Sequence, residues 1–374
     1  MRFNVSGKAL LAQLQAVSKV IIAKNALSIL DNFLLTVKDN QLTITGSDQE
    51  NLMTATLEIM ESDCDGEIAV NAKRLLNIVK EISGQPLTFY INDENKEIDI
   101  KFLNGHFNFM GVDAAEYPRL KEQDEEREVF TLPANVVLKG IENTLFAAST
   151  DPIRPIMTGI YWDIFEEKIV FVSSDTHKLV KYTNSTVHPG LVTSFILPAK
   201  PASIVRGLLP KDDGYVQIIK DSKSATFNFG DYSLSTRFIK GTYPKYDRVI
   251  PQDSPFQMVV DRETFLNAMR RVSLFASQAS GLTKINVQPT EMLLAAQDLD
   301  YSTCAEERVD CDYKGNAMTI GFNSTYLIEV LTNLKDETIV VDLTDPARPG
   351  LFRPLTQDEG EDIVMLQSPM QVIE

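Results

Sequence analysis

Cysteine is scarce in this chain, and the three present, Cys64, Cys304 and Cys311, are odd in number and lack CxxC spacing. That argues against a disulfide scaffold or a cysteine-built zinc site, and it fits a reducing cytoplasm in which the three are free core thiols. Histidine is as rare: His106, His177 and His188 show no metal-ligand spacing, so no metal or other cofactor is expected. No Walker or Rossmann glycine loop is present, since Gly7, Gly46 and Gly66 stand isolated, and no serine or cysteine sits in a nucleophile motif. No apolar run approaches the ~18 residues of a membrane-crossing helix. The start, Met1-Arg2-Phe3-Asn4-Val5, reads as a strand and not as a signal peptide. Positive charge is also lacking: 36 Lys+Arg stand against 52 Asp+Glu, for a net charge of −16. An acidic surface opposes phosphate binding. Net charge is an average, however, and a basic stripe can coexist with an acidic remainder. What matters is where the lysines and arginines fall.

What the chain does have is repetition. Ile68 to Leu76 lines up with Ile196 to Lys200 and on through Val205, and both line up with Ile320 to Leu331. A strand end feeding an amphipathic helix thus recurs every ~125 residues, which is the size of a whole domain. Other landmarks keep register. Gly46-Ser47-Asp48 answers to Ser173-Ser174-Asp175 and to Ala296-Gln297-Asp298; Leu145-Phe146-Ala147 answers to Leu274-Phe275-Ala276. Tyr117-Pro118 closes the first copy and Tyr243-Pro244 the second. The reading is three domains, 1–125, 126–252 and 253–374, with charged Lys121 to Glu128 and Pro251 to Pro255 as linkers.

Each copy reads as α+β, two helices packed on an antiparallel sheet of about eight short strands. Leu10, Leu11, Leu14 and Val17 sit at helical spacing. Leu34–Val37 and Leu42–Thr45 flank Asp39-Asn40, a hairpin signal. Ala72 to about Ile82 is the second helix, and Asp261 suits an N-cap. The helices carry Lys8, Lys19, Lys73, Arg74, Lys80, Lys139, Lys200, Arg206, Arg262, Arg270 and Arg271, with fewer acids. They are net basic in an acidic protein. Against this stands the plain fact that lysine and arginine are good helix formers.

At this point the chain resembles the bacterial DNA polymerase III β subunit family, the sliding clamps. The likeness rests on Met1-Arg2-Phe3 with Leu10-Leu11 and Leu14, on Ser174-Asp175-Thr176-His177-Lys178-Leu179, and on Tyr243-Pro244-Lys245-Tyr246-Asp247-Arg248-Val249-Ile250-Pro251. The resemblance implies a head-to-tail homodimer of three-domain subunits, a six-domain ring that encircles duplex DNA without base readout. Lys24, Lys73, Arg74, Lys80 and Lys200 would face the DNA. Phe107 and Phe109 of one subunit would meet Leu274 and Phe275 of the next. The family is not catalytic; it tethers a DNA-directed DNA polymerase and confers processivity. It recruits the replicative polymerase, the clamp loader, translesion polymerases and mismatch-repair proteins through linear peptides. Carried over, the peptide cleft comprises Met157, Ser174, Thr176, His177, Lys178, Leu179, Pro244, Arg248, Val249, Pro349, Pro369 and Met370. Thr176 stands where the family has glycine, and polar Gln367 and Ser368 precede Pro369, which would make the cleft more polar. Two other readings stand beside this one: a non-DNA scaffold of repeated domains, and an enzyme built on Asp48, Asp175 and Asp298. One aspartate per repeat marks equivalent turns more naturally than chemistry.

Overall fold

Side-chain alternation builds the sheets. Along Asn51–Glu58, Asn51, Met53, Ala55 and Leu57 point inward and the residues between them outward. Glu291–Asp298 alternates in the same way, as a half-buried strand should. The computed structural model describes residues 1–23, 25–118, 127–210 and 213–372. They pack as two compact units, Met1–Leu138 with Ser203–Phe238, and Lys139–Ala202 with Ile239–Glu374.

The first unit holds two sheets. One runs in the order Glu61–Ser62, Arg2–Ser6, Pro86–Ile91, Glu97–Phe102, Gly105–Met110. The other runs Glu128–Pro133, Tyr215–Lys220, Ser224–Phe229, Tyr232–Arg237, Asn51–Glu58, Gln41–Ser47, Asn32–Lys38, Gly66–Asn71. The second unit has a nine-stranded sheet, Thr193–Pro198, Gly159–Phe165, Lys168–Ser174, Lys178–Asn184, Glu361–Gln367, Gly350–Pro354, Thr338–Leu343, Phe256–Asp261, Asp312–Lys314. Its four-stranded sheet runs Thr303–Asp310, Glu291–Asp298, Leu282–Val287, Met318–Asn323. All pairings are antiparallel, as expected from the hairpin signals.

The described residues form six α-helices: α1 (Gly7–Ser18), α2 (Ala72–Ile82), α3 (Ala134–Thr144), α4 (Ala199–Arg206), α5 (Arg262–Ser273) and α6 (Ser324–Asn333). Each begins directly after the last residue of a strand, which is the physical content of the repeated sequence. Where that residue is polar it caps the helix: Ser6 accepts from the Ala9 amide, Asn71 from Arg74, Asp261 from Thr264 at 2.7 Å, and Asn323 from Thr325 and Tyr326. Pro133 and Pro198 take that place ahead of α3 and α4. Both end strands at a sheet edge, where a missing N–H costs no ladder bond. In α2, Ala72, Leu75, Val79 and Ile82 are buried while Lys73, Arg74 and Lys80 are exposed. α1 lies so close to the sheet that a Cβ on Gly46 would sit 2.7 Å from Val17 Cγ1.

Strand pairing also joins the repeats. In the first unit Asn51 faces Thr236, Met53 faces Leu234, and Ala55 faces Tyr232. In the second, Lys178 faces Gln367, Val180 faces Met365, and Asn184 faces Glu361. Met53, Leu234, Val180 and Met365 are all fully buried. Among the sheet edges of the described residues, two strands stand where the internal junctions are made in the other repeats yet are paired on one side only: Gly105–Met110 in the first unit and Thr303–Asp310 in the second.

Some expectations are corrected. The thiols are not core: Cys64 and Cys304 are exposed and Cys311 is half-buried. Burial, with acidic neighbours after it, pushes the Cys311 thiol up to about 11. The first linker lies largely at 119–126, outside the described residues.

Asp261→Ala should lower stability by about 1 kcal/mol, the cost of a lost cap. Hydrogen bonds from Thr264 hold this carboxyl below its usual range. A depressed carboxyl stabilises above the unfolded value of ~3.9 and ceases to as pH falls through the folded value. Urea titrations of the two proteins should therefore differ at neutral pH and converge in acid.

Candidate functional site

The three repeated aspartates are turn-formers. Asp48 Oδ1 accepts the amides of Glu50 and Asn51, Asp175 Oδ1 those of His177 and Lys178, and Asp298 Oδ1 those of Asp300 and Tyr301. A carboxylate engaged by its own turn is a structural device. The described residues contain no cluster of three metal-ligating groups.

The Asp175 turn carries the predicted cleft residues. Thr176 has φ +81°, a rare conformation for a β-branched residue. Two contacts hold it there: its amide donates to Ser174 Oγ, and Arg154 Nη1 donates to Thr176 Oγ1 at 2.8 Å. His177 is exposed and stacks on the Tyr326 ring of α6, centroids 5.0 Å apart. Lys178 is buried, 4% exposed. Its ammonium lies 2.5 Å from Asp175 and 2.8 Å from Glu329 of α6, and 4.8 Å from the Tyr326 ring centroid. Burial alone would lower this ammonium's pKa; the two carboxylates more than offset it, and the pKa is raised. Lys178 thus locks the turn onto α6.

Beyond the turn, Leu179 enters an apolar cluster with Val172, Ile196, Tyr243, Tyr246, Leu351 and Leu366, flanked by Ile156 and Ile250. Tyr243 stacks on Tyr161, centroids 4.8 Å apart, and the Tyr246 hydroxyl donates to Asp163 at 2.8 Å. Burial raises both Asp163 and Tyr246, and the nearby Asp163 carboxyl raises Tyr246 further. These anchors leave Pro244, Arg248 and Val249 exposed on the same short segment, Val249 by 53%. Met157 is half-buried at the end of the turn Pro155–Met157.

The tail runs along this region. Gln367 lies between Lys178 and Gly350 in the sheet, so Pro349, Ser368 and the Asp175 turn adjoin. The Ser368 amide donates to the His177 carbonyl at 2.9 Å. Gln367 is fully buried, and its Nε2 donates to the Asn323 carbonyl, so it does not make the cleft surface polar. The apolar Leu366 joins the Leu179 cluster instead. Met370 forms a bridge with Gly321 and stands outside the Leu179 cluster. Sequence reasoning missed Ile156, Tyr243, Tyr246, Leu351, Leu366 and Arg154. Tyr243 and Tyr246 were signalled by their place in the Tyr-Pro-Lys-Tyr segment; Arg154 had no signal.

The predicted DNA-facing residues fall elsewhere. Lys24 lies outside the described residues. Lys73, Arg74 and Lys80 are exposed on α2, beside α1 with exposed Lys8 and Lys19, and no described carboxylate pairs with any of the three. Lys200 is half-buried at the start of α4. Not every helical cation is available: Lys139 pairs with Glu361 and Asp358, Arg271 with Glu307, and Arg262 donates to the carbonyls of Asp336 and Leu331. Of the predicted interface residues, Phe107, Leu274 and Phe275 are exposed by 38%, 81% and 40%, while Phe109 is buried.

Sequence profiles of the DNA polymerase III beta subunit match this chain three times: the N-terminal domain at residues 1–121, the central domain at 131–245 and the C-terminal domain at 247–368. The chain is 26% identical to the beta sliding clamp of Pseudomonas putida over 366 residues, 98% of this chain and 99% of that one. It is 26% identical to that of Bacillus subtilis over 381 residues, 99% and 100% of the two. Its fold superposes on the Pseudomonas aeruginosa sliding clamp bound to griselimycin with a TM-score of 0.94, at 24% identity and full coverage of both chains. With the Bartonella birtlesii clamp bound to the same compound the TM-score is 0.92, at 25% identity and full coverage.

Lys178→Met removes the cation that two carboxylates share. The loss should approach the range for a broken buried pair, about 2 kcal/mol once the partial exposure of Glu329 is allowed for. A raised ammonium stabilises below the unfolded value of 10.5 and ceases to as pH rises through the folded value. The difference between the two proteins in urea should be full at neutral pH and shrink in strong alkali. A constant difference across that range would remove Lys178 as its source.

Proposed function

The chain belongs to the DNA polymerase III β subunit family, and we propose that it is a DNA sliding clamp: a homodimer, closed head to tail, that encircles duplex DNA and holds a polymerase on it. It performs no catalysis itself. Domain boundaries near 126 and 253 serve this reading, each domain contributing one repeat to a six-domain ring.

The observation that carries the closure is the pairing rule inside the chain. Each repeat lends one strand to the end strand of the next: Asn51–Glu58 to Tyr232–Arg237, and Lys178–Asn184 to Glu361–Gln367. The third repeat has Thr303–Asp310 to lend, the first has Gly105–Met110 to receive it, and both have an open edge. A long unpaired edge is a template for another chain. Here the matching edge is on a second copy. Phe107 occupies the position of buried Leu234 and Met365, and its exposure is what an unclosed junction leaves. Leu274 and Phe275 repeat Leu145 and Phe146, and Phe146 packs on the third-repeat core.

The duplex would be held by phosphate contacts alone, from Lys73, Arg74 and Lys80, with Lys24 and Lys200. Weak contacts suffice when topology retains the ring, and they permit sliding. The Leu179 cluster, rimmed by Arg248 and Val249, is suited to an extended peptide with bulky apolar side chains. Polymerases, the clamp loader and repair proteins are the partners that would carry such peptides.

The decisive experiment is retention on nicked circular DNA. The loaded protein should stay on the circle and leave when it is linearised; equal loss from both forms would exclude encirclement. Lys73→Ala with Arg74→Ala should weaken loading on every sequence alike and flatten its salt dependence. For the cleft, Leu179→Ala should weaken a glutamine-leucine-x-leucine-phenylalanine peptide roughly thirtyfold in a fluorescence titration, about 2 kcal/mol. Unchanged affinity would place the peptide elsewhere.

A further inference from the structure

The three repeats share one register, and it fixes the pairing at the open edges. The first residues of the equivalent hairpins are Ser6, Pro133 and Asp261, paired with Pro86, Tyr215 and Thr338. Following the ladders onward aligns Phe109 with Thr236 and Gln367. On the other side, the Asp48, Asp175 and Asp298 turns align Thr303 with Asn51 and Lys178. The third turn is longer by two residues, Leu299 to Ser302 against Gln49 and Glu50. Both internal junctions pair these positions directly, Asn51 with Thr236 and Lys178 with Gln367. Between two copies the rule sets Thr303 opposite Phe109, Cys304 opposite Asn108, Ala305 opposite Phe107 and Glu306 opposite His106.

The last of these pairs has no counterpart inside the chain. Its equivalents are Thr54 with Ser233 and Lys181 with Val364. We propose that His106 of one copy and Glu306 of a second form a cross-strand ion pair that couples closure of the dimer to proton uptake. This inference rests on the head-to-tail reading. The internal junctions are tied by the continuous chain; only the one between copies can open, and that one carries the titratable pair.

His106 sits among charged neighbours. Its Nδ1 lies 3.0 Å from Asp99 Oδ1 and its ring is exposed. On the neighbouring strand Lys101 stands directly opposite, its ammonium 4.5 Å from the Tyr90 ring centroid. Glu97 is engaged by Asn108. On the second copy's strand Glu306 is exposed, Glu307 is held by Arg271, and Arg308 by Glu291. Among these described contacts Glu306 has no cation of its own. Carrying a proton, the His106 imidazole meets an opposite charge across the strands; without one, it offers Glu306 no cation.

Sedimentation equilibrium at about pH 5.5 and about pH 8 reads the effect on either side of the imidazole range. A closed dimer has two such junctions, and at a modest contribution each, its Kd should be roughly fivefold lower at the acid pH. An acidic chain self-associates more readily in acid for general reasons, so the test is the difference between proteins. His106→Gln and Glu306→Gln should each remove the His106-dependent part and still dimerise, while His188→Gln should keep the full response. A response unchanged in both of the first two variants overturns the pair while leaving the dimer standing. A wild type monomeric at both pH values overturns the head-to-tail assembly itself.

Discussion

The edge of a β-sheet presents a row of backbone donors and acceptors that must be paired, covered or made repellent. Most of this molecule's organisation follows from covering such edges with copies of the same strand. Two junctions do so inside the chain, and each buries apolar residues on both strands, Met53 against Leu234 and Val180 against Met365. The two edges equivalent to those junctions, Gly105–Met110 and Thr303–Asp310, are neither short nor heavily bulged, and one exposes Phe107. A monomer would carry them as an aggregation hazard. A dimer built by the chain's own rule removes both at once.

Much of this organisation was legible in the sequence, because it recurs. The ~125-residue period, the strand ends that cap helices at Asn71, Asp261 and Asn323, and the aspartate turns are local patterns, and local patterns survive in a one-dimensional reading. The pairing between repeats was not legible, since nothing local in Lys178–Asn184 names Glu361–Gln367 as its neighbour. The side on which a residue points was lost for the same reason. Gln367 reads in sequence as a polar wall of the expected cleft, but a strand alternates, and Gln367 turns to Asn323 while Leu366 joins the Leu179 cluster. Basic helices gave only a partial answer. Lys139, Arg262 and Arg271 have partners far away in sequence, whereas α2 presents three exposed cations without a described carboxylate partner.

The Asp175 turn shows how rigidity would serve the proposed peptide site. Lys178 is buried between two carboxylates, Thr176 is held at positive φ by its neighbours, and Tyr243 and Tyr246 are fixed by stacking and by Asp163. Such a frame loses little freedom when a peptide orders against it. The exposed residues, His177, Arg248 and Val249, ride on buried ones. In an otherwise acidic chain, α2 keeps an exposed cationic face, the kind of surface that the proposed phosphate contacts would need.

The head-to-tail closure is tested most directly by the native Cys304. In the register the repeats dictate, it lies opposite Asn108 of a second copy at the ~5.5 Å Cα spacing of a hydrogen-bonded pair, within disulfide range. Asn108→Cys, with Cys64 replaced by serine, should give a covalent dimer on mild oxidation. Cysteines placed instead at His106 or Met110, two residues to either side, should cross-link far less. Covalent dimer appearing most strongly at His106 or Met110, or at none of the three, would contradict the account.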